Sequence, residues 1–110
     1  MTNLWCEVDL HAIAENIEQI RKKTDKKIFA VVKCNAYGLG IEAITDFLND
    51  KADGFVVSDI DEALKVKSKK PVLILQPQIS DKDIPKIMDN FVLTIDDASQ
   101  LEKLKDRPYT

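Results

Sequence analysis

The residues with the most chemical capacity lie together in one stretch, Ala30-Val-Val-Lys-Cys-Asn-Ala-Tyr-Gly-Leu-Gly40. Lys33 follows directly on an apolar run, and in parallel α/β proteins ligands and catalytic groups sit at the C-terminal ends of strands. An amine set against an apolar wall loses hydration, which favours its neutral form. A neutral amine can attack an aldehyde. Tyr37 adds a hydroxyl suited to a phosphate group. Asn35, Gly38 and Gly40 belong to a loop leading into a helix that starts near Ile41, and such a start presents backbone N–H groups to an anion. The same residues also fit a strand-end lysine that snorkels to water beside a glycine-bounded turn. Local chemistry alone leaves both readings open.

The periodicity of the chain shows what must position this stretch. Leu10, Ile13, Ala14, Ile17 and Ile20 follow the i, i+3, i+4, i+7 rule of an amphipathic helix, with Asp9 placed as its cap. Four short apolar runs come next, beginning at Ile28, Gly54, Pro71 and Phe91. Apolar runs without alternation predict strands buried on both faces, as in parallel sheets. Helical patterns separate them. Ile41, Ile44, Phe47 and Leu48 form one, and Ile60, Ala63, Leu64 and Val66 another. Ile84, Ile87 and Met88 predict a short helix capped by Asp83, with Pro85 tolerated in its first turn. Ala98, Leu101 and Leu104 complete the series. Ser58-Asp-Ile-Asp reads as a capping-box-like start, and Asp96-Asp97 plays the same part before the last helix.

The order after the first helix is therefore strand–helix, four times. This predicts an α/β fold, either a small doubly wound domain or consecutive units of a TIM-type (β/α)8 barrel, linked by right-handed crossovers. A complete barrel takes about 250 residues, so the 110 residues are expected to form a partial barrel domain spanning 1–110. Such a piece leaves two parallel sheet edges open, which is an association hazard. Leu4–Val8 stands outside the rhythm and reads as a strand paired with something beyond the βα series.

Ala30–Gly40 resembles the cofactor-attachment motif of the alanine racemases, A-V-V-K-A-(N/D)-A-Y-G-H-G, almost residue for residue. Trp5-Cys-Glu-Val-Asp-Leu with Asn16 is similar to the opening W-A-E-(I/V)-D-L…N of that family. Asp61-Glu-Ala-Leu and Pro71-Val-Leu-Ile-Leu resemble its next segments, so the likeness is collinear over nearly the whole chain. The resemblance implies a pyridoxal 5′-phosphate (PLP) enzyme that interconverts L- and D-alanine, supplying D-alanine for peptidoglycan. Lys33 would carry the cofactor and serve as one of two acid/base groups, Tyr37 would contact the phosphate, and Leu75 would line the cofactor pocket. The family's second base is a tyrosine from the C-terminal domain of a partner subunit, so a homodimer is implied. That base, the arginine facing the pyridine nitrogen and most phosphate ligands have no counterpart in these residues. Tyr109 lies in the wrong segment for the second base. The 110 residues alone are expected to lack racemase activity. The family also places the opening strand with a C-terminal β-domain, which would account for Leu4–Val8. Two departures stand out. Leu39 replaces the usual histidine, which leaves the amino-acid substrate open, and Cys34 replaces an alanine.

Composition narrows the remaining choices. A net charge of −3 with both signs interspersed gives no basic footprint for nucleic acid. No apolar run approaches the roughly 18 residues of a membrane span, and no secretory leader pattern opens the chain. Cys6 and Cys34 lack metal-type spacing and read as reduced thiols of a cytoplasmic protein, with Cys34 expected to line the core. His11 reads as an exposed helix residue, and no metal site is expected. Two rival functions remain: a PLP-binding barrel serving cofactor homeostasis, and a flavodoxin-like domain whose Tyr37-Gly-Leu-Gly loop holds a nucleotide or phosphate.

Overall fold

The apolar runs become four short parallel strands, β1 (Phe29–Val31), β2 (Gly54–Val57), β3 (Val72–Ile74) and β4 (Phe91–Leu93). The computed structural model describes residues 3–77 and 79–106. The strands lie side by side in sequence order, β1-β2-β3-β4, and every pairing is parallel. A doubly wound sheet reverses its strand order at a switch point. This sheet has no reversal, so it is wound in one direction as in a barrel, and the flavodoxin-like alternative is set aside.

The register aligns two rows of side chains across the sheet. Ala30, Phe55, Val72 and Phe91 form one row, and Val31, Val56, Leu73 and Val92 the next. Adjacent residues of a strand face opposite sides, so the rows belong to opposite faces. On the first face Phe55 and Val72 are fully buried and Phe91 nearly so. There α3 (Ile41–Leu48) and α4 (Ile60–Ala63) contribute Ile41, Ile44, Leu48, Ile60 and Ala63 to the core, with Leu104 of α5 (Ala98–Leu104) at its edge. On the second face Val31 and Val92 are each 46% exposed. The expectation of strands buried on both faces therefore holds for β2 alone, because the helices cover only one side. The second face is the one that would look into a closed barrel.

Gly54 fits this open face closely. A Cβ there would lie 2.7 Å from Cζ of Phe29 and 2.8 Å from the Pro71 carbonyl oxygen. The N-terminal ends of the strands are tied by polar side chains. Asp53 accepts the Ile28 N–H at 2.7 Å and the Arg21 guanidinium at 3.1 Å, joining the end of α1 (Leu10–Arg21) to the sheet. Asn90 donates to the Ser68 and Lys70 carbonyls. The Ile28 N–H, aided by Arg21, holds the Asp53 carboxyl below its ordinary value of 3.8. The stability this confers is complete above that value and is lost as pH falls through the lower folded-state value. Asp53→Asn is therefore expected to flatten the fall of Tm between about pH 5 and 2 relative to the parent chain. Equal slopes in thermal scans across that range would contradict the assignment.

Local signals hold in part. Asp9 caps α1 by accepting the Ala12 N–H, Asp59 caps α4 through Glu62, and Asp97 caps α5 through Ser99. The helix expected around Ile84–Met88 is only a 3-10 turn, Ile84–Lys86. Asp83 does not cap it, because its carboxylate is taken up by the Ser80 N–H and hydroxyl. Leu4–Val8 forms no strand: no ladder partner exists for it among the described residues, and Leu4 and Trp5 are 87% and 75% exposed. A strand has no lasting form without a neighbour to hydrogen-bond. His11 is exposed as expected, beside Glu15. Tyr109 lies outside the described residues.

Candidate functional site

Lys33 stands just beyond β1, where Val32 donates its N–H to the Val56 carbonyl at 2.9 Å and closes the ladder. Val32 is buried, Lys33 half-buried, and Val31 exposed on the open face. Among the described residues no carboxylate lies within ion-pairing distance of the Lys33 amine, and no acceptor holds it. The next strand ends stand beside it in order. Leu75 and Gln76 donate to the Val57 and Ser58 carbonyls at 3.0 and 2.9 Å, so the ends of β1, β2 and β3 form one continuous rim. Leu75 is 43% exposed on that rim.

The chain does not leave β1 as an ordinary loop. Residues Lys33–Tyr37 make a helical turn, α2, in which Cys34, Asn35, Ala36 and Tyr37 all have φ between 54° and 56°. A left-handed conformation costs a non-glycine residue about 1–2 kcal/mol, so four in succession must be held from outside. Ala36 is buried at the centre of the turn and its N–H reaches the Val32 carbonyl at 2.8 Å. The Asn35 carbonyl accepts the Gly38 and Gly40 N–H groups, and the Asn35 side chain accepts the Ile41 N–H at 2.9 Å. Glu62 accepts the Cys34 N–H at 3.0 Å. Gly38 and Gly40 complete the turn at φ 90° and 99°, which glycine adopts without penalty.

This turn revises two expectations. Cys34 is exposed rather than core-lining, because the left-handed path puts Ala36 into the core instead. The start of α3 is less open to an anion than expected, since Asn35 occupies the Gly40 and Ile41 N–H groups. Tyr37 is 61% exposed, and its hydroxyl has no hydrogen-bond partner among the described residues. Lys33 and Leu75 share the rim and Tyr37 stands four residues beyond Lys33. Sequence reasoning gave Glu62 no role. The Asp59-x-x-Glu62 spacing marks a helix start, but nothing in it foretells a bond to Cys34.

A singly wound parallel βα sheet defines a barrel-type α/β fold, and at its first strand end stands a half-buried lysine without an ion-pair partner among the described residues. The chain belongs to the family of the alanine racemase N-terminal domain, whose model matches residues 8–109. It is 42% identical over 99 residues to the alanine racemase of Actinobacillus succinogenes, covering 86% of this chain and 28% of that one. The alanine racemase of Haemophilus influenzae is 35% identical over 104 residues, or 90% and 29% of the two chains. Among solved structures, the alanine racemase of Bacillus anthracis with bound L-Ala-P superposes with a TM-score of 0.78 at 29% identity, over 94% of this chain and 28% of that one. That of Oenococcus oeni gives 0.76 at 32% identity, over 92% and 28%. The chain thus spans a little more than a quarter of the length of these relatives.

Proposed function

We propose that residues 1–110 are part of the PLP-binding barrel domain of an amino-acid racemase, and that Lys33 is its cofactor-bearing lysine. The observation that carries this reading is the placement of Lys33: half-buried, without a counter-ion among the described residues, at the chemical end of a singly wound parallel sheet. The residues fit PLP in kind. An unpaired amine is what an aldehyde needs, Leu75 offers an apolar wall on the same rim, and the free Tyr37 hydroxyl can serve a phosphate oxygen. When bound, PLP supplies an electron sink that makes the α-proton of an amino acid removable. On this reading the Lys33 Nζ takes and returns that proton on one face of the substrate, as a general base and acid. Tyr37 anchors the phosphate and Leu75 limits water at the cofactor.

The matched relatives are alanine racemases, so the substrate we infer is alanine, and the biological setting is D-alanine supply for peptidoglycan. The assembly we infer is a homodimer of the whole enzyme in the cytoplasm. No helix among the described residues is long and apolar enough to cross a membrane, and no metal-type cluster occurs among them.

The test is to mix the chain with PLP, reduce with borohydride and map pyridoxyl adducts by peptide mass spectrometry. An adduct concentrated on the peptide containing Lys33, and absent from Lys33→Ala, is the expected result. Labelling spread evenly over the many lysines, or unchanged in Lys33→Ala, would overturn the assignment.

A further inference from the structure

The end of β1 is held by a carboxylate from another unit of the sheet. Glu62, in the first turn of α4, is half-buried and divides its two oxygens between two strand ends. Oε1 accepts the Cys34 N–H at 3.0 Å and Oε2 accepts the Ser58 N–H at 2.8 Å. Its own N–H donates to Asp59 at 2.8 Å, which fixes the root of the side chain. In a capping box the glutamate folds back on the N–H of its own N-cap residue. Here that residue is Asp59, and Glu62 passes over it, to Ser58 and to a residue 28 positions earlier in the chain. A helix cap alone does not call for the second bond.

The Cys34 N–H belongs to the peptide that joins Lys33 to the left-handed turn. Holding that peptide holds the plane of the Lys33 carbonyl and the entry into a conformation that Cys34, Asn35, Ala36 and Tyr37 do not favour. Hydrogen bonds to an ionised carboxylate are among the stronger ones. We propose that Glu62 is a positioning residue for Lys33: its carboxylate clamps the left-handed turn so that the lysine amine is presented to an aldehyde from the rim. This rests on the reading of Lys33 as the cofactor-bearing lysine.

The experiment is the PLP and borohydride labelling above, run as a time course on the parent chain, Glu62→Ala and Glu62→Gln, with thermal melts to set a temperature at which each is folded. Misplacing a reacting group by about 1 Å can cost up to 100-fold in rate. Glu62→Ala is expected to slow labelling of Lys33 by roughly tenfold or more while labelling of surface lysines such as Lys26 is unchanged. Glu62→Gln, whose amide oxygen can accept only one of the two N–H groups, should fall between. Adding Cys34→Gly to Glu62→Ala should recover part of the lost rate, because glycine enters the turn without strain. A Lys33 rate within about twofold of the parent in Glu62→Ala overturns the proposal; if that chain does not fold, a parent-like rate in Glu62→Gln does so. A lower rate shared equally by all lysines also overturns it, since that would be a general loss of structure. Absence of any preference for Lys33 in the parent chain marks the failure of the cofactor reading instead.

Discussion

Phe55→Ala is expected to remove about 3–5 kcal/mol of stability, the usual cost of emptying a phenylalanine site in a close-packed core. Phe55 is the largest of the fully buried side chains. It sits mid-row between Ala30 and Val72 on the helix-covered face, and its N–H bonds to the Pro71 carbonyl at 2.9 Å. The cavity would open where strand row and helices meet. Single domains are stable by only about 5–15 kcal/mol, so this one change can remove most of the margin. A drop in Tm of at least about 12 °C follows from the usual scaling for a domain near this size. Val31→Ala, on the open face, removes far less buried surface and should move Tm by much less. Near-equal effects from the two substitutions in calorimetry would mean that the faces are not packed as described.

Ala36→Val should act on the turn itself. Ala36 is 4% exposed with φ 56°, so a larger side chain meets two penalties there. A β-branched residue is a conformational outlier at positive φ, and added methyl groups overpack a filled site. Together these should cost about 2–4 kcal/mol. Ala36→Gly separates the two effects. It empties little volume and tolerates the left-handed path, so its loss should be smaller than that of valine. Urea titrations of the three chains measure the order. A valine variant as stable as the parent would show that the turn is not held left-handed. The same variant should lose the preferential labelling of Lys33, because the peptide that carries the lysine could not keep its place.

Both predictions concern the frame of the site, and there the chain's own text and its tertiary structure divide the work unevenly. The order of elements could be read from periodicity, since uninterrupted apolar runs and 3.6-residue patterns report burial directly. The caps at Asp9 and Asp97 were legible too, because a cap is a bond between residues two or three apart, whereas the start signal at Ser58-Asp-Ile-Asp was off by one residue, the cap being Asp59. Lys33 stood out as a charge placed at the end of an apolar run, but local chemistry left its role open, and only the likeness of Ala30–Gly40 to a family motif singled it out. Single or double winding was undecided by the residues, and the strand order settles it. One-sided burial also depended on tertiary structure, because an apolar run does not say whether helices cover one face or both. The left-handed turn after Lys33 runs against the local preference of four non-glycine residues, so no local rule predicts it. It exists because the Asn35 side chain accepts the Ile41 N–H at the start of α3, Ala36 fills the core, and Glu62 reaches across from the next unit to the Cys34 N–H. A residue's type and spacing thus place the lysine in the chain, whereas contacts distant in sequence decide the backbone that presents it.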